Sequence, residues 1–169
     1  MLPSDTARRE AFTALFSQMS PRLFRTALGL LGNPHDAADA LQEAGLKAYR
    51  HFDKLHDADA GGAWLTRIVI HACYDQGRHR SRTTPIGLDV EREEAGALPA
   101  ETDWELVQAL QELPEEQRTT VVLRFFQDLT IPQIASVMAV PDGTVKSRLH
   151  TALCRMRSLL AANRKEGVR

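Results

Sequence analysis

Cationic and hydroxyl side chains are concentrated between Thr144 and Arg155, near the end of the chain. Ammonium and guanidinium groups neutralise phosphates and donate hydrogen bonds to guanine edges, and hydroxyls bond to phosphates or to bases. This pattern favours binding to nucleic acid, although a surface helical hairpin with no role in DNA binding remains open from spacing alone. The candidate DNA-contacting residues are Thr144, Lys146, Ser147, Arg148, Thr151 and Arg155.

A second cluster contains residue types that can bind zinc, namely His71, Cys73, Asp75 and His79. On a helix these spacings let the two histidines and the aspartate share a face, but they turn Cys73 away from it. We therefore expect no metal site. Elsewhere the sequence shows no nucleophile paired with a base, no phosphate-binding loop and no glycine fingerprint. We expect a protein that is not an enzyme and that uses no cofactor.

The segment that leads into the basic cluster is typical of two helices separated by a tight break. Thr130 and Gln133 have the spacing of a capping box, and Pro132 is tolerated in a first helical turn. A break over residues 139–142 precedes a longer helix from Gly143, and together they predict a helix-turn-helix whose second helix lies in the major groove. The apolar residues expected to be buried in these helices are Ile131, Ile134, Ala135, Met138, Val145, Leu149, Ala152, Leu153, Met156 and Leu160.

Apolar residues recur at helical spacing on both sides of an aperiodic stretch, residues 83–101. We predict an all-α fold with two small helical domains, residues 1–82 and 102–169, joined by a flexible acidic linker. Gly32-Asn33-Pro34 should separate the first two helices. The stripes expected to be buried are Phe12, Leu15, Phe16, Met19, Leu23, Ala27, Leu30 and Leu31; Ala37, Leu41, Ala44, Ala48 and Phe52; Trp64, Ile68 and Ala72; Trp104, Val107, Leu110 and Leu113; and Val121, Val122, Phe125 and Phe126.

The net charge of −1 conceals an uneven distribution along the 169 residues. Residues 1–82 carry a net charge of +2, residues 83–116 carry −9 and residues 117–169 carry +6. Basic ends suit a protein that follows a phosphate backbone, and solvated helix faces are an equal alternative. No run approaches the roughly 18 apolar residues of a membrane span, and the two cysteines do not suggest a disulfide framework. We expect a cytoplasmic protein without membrane insertion.

Two groups of motifs resemble the extracytoplasmic-function (ECF) subfamily of sigma-70 RNA polymerase sigma factors. The family's minus-35-reading region is similar to GTVKSRLH (143–150), preceded by LPEEQR (113–118) and LRF (123–125). Its polymerase-binding and minus-10-reading region is similar to LGN (31–33), Asp36-Ala37 with Asp39, Gln42-Glu43, LKA (46–48) and AWL (63–65) with Arg67-Ile68. Two matches in the expected order are more specific than either one alone.

The resemblance implies that the protein joins core RNA polymerase and directs it to promoters. The clamp helices of the largest polymerase subunit would be bound by Asp39, Gln42, Glu43, Leu46 and Lys47. Single-stranded minus-10 DNA with a flipped base would be held by Arg67, Ile70, His71, Arg78, Arg80 and Arg82. The helix-turn-helix would read duplex DNA at minus-35. An anti-sigma factor is implied as a further partner, and the acidic linker would thread through the polymerase or serve as a solubilising tether.

Three sites depart from the family's pattern. Ile70-His71 stands where the family often has an arginine-asparagine pair, which changes the donors and acceptors offered to a minus-10 base. Gly45 replaces a bulky residue and Gly77 a leucine, and each weakens a helix by up to about 1 kcal/mol relative to alanine. A stand-alone helix-turn-helix regulator that binds duplex DNA without polymerase is the competing hypothesis, and it leaves the first domain unexplained.

Overall fold

The computed structural model describes residues 5–55, 57, 60–83 and 102–166, with 79–83 and 163–166 as backbone alone. This part of the chain contains seven α-helices and a short 3-10 turn, with no strand, so the all-α prediction is confirmed. The predicted linker, apart from Thr83, falls outside the described residues. The helices are α1 (Asp5–Leu31), α2 (Pro34–His51), α3 (Gly61–Thr83), α4 (Trp104–Gln111), α5 (Glu115–Phe125), α6 (Ile131–Met138) and α7 (Asp142–Glu166).

The first three helices pack against one another, and local signals set the sharp corner between α1 and α2. Gly32 ends α1 with a φ of +72°, a left-handed conformation that glycine adopts without strain. The Asn33 side chain then caps α2, because its oxygen accepts hydrogen bonds from the backbone N–H groups of His35 and Asp36. Alanines form the buried face of α2, and their small side chains let α1 and α3 approach it closely. These alanines are Ala37, Ala40, Ala44 and Ala48.

The remaining four helices form the second unit, in which α7 packs on α4, α5 and α6. The buried face of α7 runs through Val145, Leu149, Ala152 and Met156. Two residues expected in the core are exposed instead. Leu153 is 37% exposed because it is turned about 70° from the centre of that face, at about 100° per residue. Phe125 is 53% exposed because it lies at the last residue of α5, where it borders an open cavity between α5, α4 and α1.

The two units are in contact, since α1 packs on α4 and α5 as well as on α2 and α3. One continuous hydrophobic core therefore runs from Leu23 and Leu65 to Leu123 and Ile134. Among the helices that the structure describes, none combines the length and the apolarity that a bilayer span needs.

Candidate nucleic-acid and polymerase-binding surfaces

The predicted helix-turn-helix is formed by α6 and α7. The Gln133 side-chain oxygen accepts a hydrogen bond of 2.8 Å from the Thr130 backbone N–H, and the predicted capping box is present. Ala139 ends α6 in a left-handed conformation with a φ of 54°. Val145 and Ile134 are fully buried, so they fix α7 against α6. This packing turns the N-terminal half of α7 outward.

Most of the candidate DNA-contacting side chains are on the open side of α7. Lys146, Ser147, Thr151 and Arg155 are exposed, and Thr144 is half-buried. The Ser147 hydroxyl donates a 3.0 Å hydrogen bond to the carbonyl of Thr144, so its oxygen stays available as an acceptor. The surface combines one ammonium group, one guanidinium group and two hydroxyls, a set suited to phosphates and base edges.

Arg148 differs from the other candidates because its side chain is only 19% exposed and forms an ion pair with Glu116 at the start of α5. The Glu116 carboxylate holds the Arg148 guanidinium group against α5 rather than free in solvent. Glu116 was not among the candidate residues, since a partner 32 residues away leaves no local sequence signal. The Arg148 guanidinium group is therefore already paired within the second unit, unlike the exposed candidates on α7.

The second set of candidates lies on α3. Arg67 and His71 are both exposed and four residues apart, so they share one face of the helix. Arg78 is also exposed and interacts with Asp75 at 3.4 Å. Ile70 corrects the sequence-based expectation: it is only 5% exposed, because it lies on the flank of the buried face beside Val69. The side chains of Arg80 and Arg82 fall outside the described residues.

The third set of candidates lies on α2 and includes an unusually exposed leucine. Leu46 is 57% exposed, and Asp39, Gln42 and Glu43 are exposed beside it. Lys47 forms ion pairs with Glu43 at 2.7 Å and with Asp75 at 3.7 Å. The hydrogen bond to Glu43 raises the pKa of Lys47 above its ordinary value. The candidate polymerase-binding surface on α2 therefore has an apolar side chain at its centre, with polar and charged side chains around it.

An apolar groove lies next to Leu46, and it was not predicted from the sequence. Phe12, Phe16 and Tyr49 line it together with Gly45. A side chain at Gly45 would bring its Cβ within 3.0 Å of the Phe16 ring, so glycine is what lets this ring lie over the α2 backbone. Gly77 has no such constraint, because a Cβ there would meet Leu31 only at 4.0 Å.

The residues considered for zinc do not converge. His71 points to solvent, whereas Cys73 is 1% exposed and burial raises the pKa of its thiol to about 12. Asp75 is engaged with Lys47 and Arg78. The side chain of His79 lies outside the described residues, and the rest of the described chain holds no group of three or more potential ligands.

Two family models match the chain, Sigma-70 region 2 at residues 15–83 and Sigma-70, region 4 at residues 103–156. The ECF RNA polymerase sigma factor SigM of Mycobacterium tuberculosis is 37% identical over 154 residues, which span 90% of this chain and 78% of the relative. The ECF RNA polymerase sigma factor SigW of Bacillus subtilis is 28% identical over 158 residues, which span 84% of each chain.

Solved structures show the same fold. The sigma factor RpoE from Bartonella quintana, in complex with the anti-sigma factor NepR, matches with a TM-score of 0.70 at 23% identity, over 88% of this chain and 98% of that one. CnrH, in complex with the cytosolic domain of CnrY, matches with a TM-score of 0.70 at 22% identity, over 91% and 90%. The two region models and the 37% identity to SigM go beyond the fold: the chain belongs to the ECF RNA polymerase sigma factors, which direct transcription initiation.

Proposed function

We propose that this chain binds core RNA polymerase through α2, reads duplex minus-35 DNA with α7 and holds single-stranded minus-10 DNA against α3. Residues 1–82 would form the polymerase-binding and minus-10 domain, 83–101 the linker and 102–169 the minus-35 domain. The observation that carries the proposal is the solvent-facing row of Lys146, Ser147 and Thr151 on a helix whose opposite face is buried. The chemistry of RNA synthesis would belong to the polymerase.

At minus-35, the exposed N-terminal half of α7 has the size and polarity to enter a major groove. Lys146 and Arg155 would meet phosphates or guanine edges, and Ser147, Thr151 and Thr144 would bond to bases or backbone. Arg148 would reach DNA from its position against Glu116, where the carboxylate orients the guanidinium group. Arg148 would then be a cation held in a fixed position, whereas the exposed side chains of Lys146 and Arg155 could adjust to the DNA.

At minus-10, Arg67 and His71 form the exposed face of α3 that a flipped base would contact. The imidazole offers two ring nitrogens, so its recognition differs from that of the amide usual in the family. Arg78, and with it Arg80 and Arg82, would lie along the backbone of the strand. Ile70 is buried and would support the helix beneath the contact. We expect a minus-10 preference unlike that of relatives with asparagine at this position.

Against the polymerase, the face of α2 around Leu46 would meet the clamp helices of the largest subunit. A central apolar side chain surrounded by polar groups is the arrangement that dominates protein interfaces. Asp39, Gln42, Glu43 and Lys47 would form the margin. An anti-sigma factor is a further proposed partner, because RpoE and CnrH were both solved with partner proteins, RpoE with an anti-sigma factor. The site of action would be the cytoplasm, where core polymerase works.

A run-off transcription assay with core polymerase and a fragmented genomic template tests this function against a stand-alone regulator. We expect initiation at defined sites only when this protein is added, and weak binding of promoter DNA by the protein alone. A stand-alone regulator would give the reverse: tight specific binding without polymerase and no new start sites. Core polymerase that has been freed of other sigma factors, with and without the protein, is the control.

A further inference from the structure

A cavity of about 400 Å³, open to solvent, lies between α1, α4 and the end of α5. Cavities of about 300–1,000 Å³ are the size that holds small molecules in proteins. The described residues that line it include none of the candidates for contact with DNA or with the polymerase. The function proposed above therefore makes no use of this cavity.

The wall of the cavity is largely apolar. Leu28 of α1 is 3% exposed and Val107 of α4 is 5% exposed, so the cavity borders the hydrophobic core. Leu106 and Phe126, which are partly buried, also line it. Phe125 lines it as well and is 53% exposed. A flat apolar body that entered the cavity would cover this exposed ring and so remove apolar surface from water.

Four charged side chains of the described chain line the same cavity, and three of them are already engaged. Arg22 and Asp128 form an ion pair at 3.1 Å. The Asp103 carboxylate accepts a 3.1 Å hydrogen bond from the Leu106 backbone N–H, so it caps the positive end of α4. The fourth is Arg25, which is exposed and has no hydrogen bond or ion pair with any described residue.

A free guanidinium group beside an apolar wall selects a ligand by charge and by shape. Its N–H groups can form two parallel hydrogen bonds with a carboxylate, and such charge-assisted bonds are about twice as strong as neutral ones. An ammonium group in the same place would be repelled by Arg25. Arg22 lies one turn away on α1, but Asp128 offsets its charge. The ligand that complements this cavity therefore has an apolar ring system and one carboxylate.

We propose that the cavity is a binding site for a small aromatic carboxylate. The ring system of the ligand would lie against Phe125 and Phe126, and its carboxylate would pair with Arg25. Because α1, α4 and the end of α5 all contribute to the wall, the site is present in the folded chain alone. It does not depend on the proposed function, since such a ligand binds with neither polymerase nor DNA present.

Isothermal titration calorimetry of the full-length protein with naphthoate tests the site. We expect a dissociation constant below about 100 µM, which is ordinary for a ligand of this size. Naphthylmethylammonium carries the same ring system and the opposite charge, so it should bind at least about tenfold more weakly. Equal affinities for the two ions, or no binding of naphthoate below about 1 mM, would overturn the proposal.

Two variants locate the bound naphthoate. Arg25→Ala removes the partner of the carboxylate and should weaken binding by at least about tenfold. Leu106→Trp fills the cavity from its wall and should abolish binding, although the Arg25 charge is retained. Arg9→Ala removes another exposed arginine from α1 and is the matched control, with unchanged affinity expected. Circular dichroism and thermal unfolding check that each variant keeps the fold.

The control also separates this cavity from the apolar groove beside Leu46, because Arg9 lines that groove. A loss of binding in Arg9→Ala would place naphthoate in the groove and so contradict the assignment to the cavity. Unchanged affinity in Arg25→Ala, or in a folded Leu106→Trp variant, would contradict it equally. If Leu106→Trp fails to fold, Arg25→Ala and its control decide the result on their own.

Discussion

Leu46→Asp is expected to weaken binding to core RNA polymerase by about 30-fold or more. Loss of a central interface side chain costs about 2 kcal/mol or more, which corresponds to this factor. The introduced carboxylate would also be buried without a partner, against the apolar groove formed by Phe12, Phe16 and Tyr49. Because Leu46 is 57% exposed, the fold should tolerate the change, with less than about 1 kcal/mol lost from the free energy of unfolding.

Equilibrium binding of fluorescently labelled protein to core polymerase measures this effect. Ala14→Asp introduces the same charge at an exposed position of α1 and serves as the control. We expect the control to bind like the wild type. Equal affinities for the wild type and Leu46→Asp would remove α2 from the proposed polymerase surface, and a loss shared by both variants would point to a general charge effect.

Lys146→Glu is expected to lower initiation at a minus-35-dependent promoter by at least about tenfold. A specific contact to a base pair is worth about 1–3 kcal/mol, and reversing the charge adds repulsion from the phosphates. Lys146 is exposed and forms no ion pair within the described residues, so the substitution breaks no ion pair there. Lys146→Ala should have a smaller effect, because it removes the attraction without adding repulsion.

Arg157→Glu is the matched control, since it makes the same reversal on the same helix about 16 Å further along, at about 1.5 Å per residue. Initiation should be compared over a range of salt concentrations, on the native promoter and on one with a scrambled minus-35 element. If Lys146 contacts only phosphate, the loss will be the same for both templates. If Arg157→Glu is as damaging as Lys146→Glu, the N-terminal half of α7 does not read the DNA.

Much of the fold could be predicted from short sequence motifs. The capping box at Thr130 and Gln133 and the corner at Gly32-Asn33-Pro34 act within one helical turn, so neighbouring residues are enough to define them. The period of the apolar residues likewise placed the open face of α7. The burial of residues at the edge of an apolar helix face, or at a helix end, was harder to predict from the sequence. Ile70, Phe125 and Leu153 each lie where a neighbouring helix either covers the flank or leaves it open.

Contacts between distant parts of the chain gave no sequence signal. The pairing of Arg148 with Glu116 depends on how α5 lies beside α7, and the capping of α1 by Arg118 depends on how the two units meet. An acidic, aperiodic segment between two helical units predicts a tether, but it does not predict whether the units are apart or in contact. The contact between the two units could therefore be found only from the packing.

The central claim is that one chain places two reading surfaces on one promoter, and site-directed photo-crosslinking tests it most directly. A photoreactive residue at Gly143, where a side chain meets no atom within 4 Å, reports on α7, and one at the exposed Ala63 reports on the start of α3. With core polymerase, we predict crosslinks to duplex DNA near minus-35 from Gly143 and to the non-template strand near minus-10 from Ala63. Crosslinks from both positions to the same few base pairs, or crosslinks from Gly143 alone without any need for polymerase, would contradict the account.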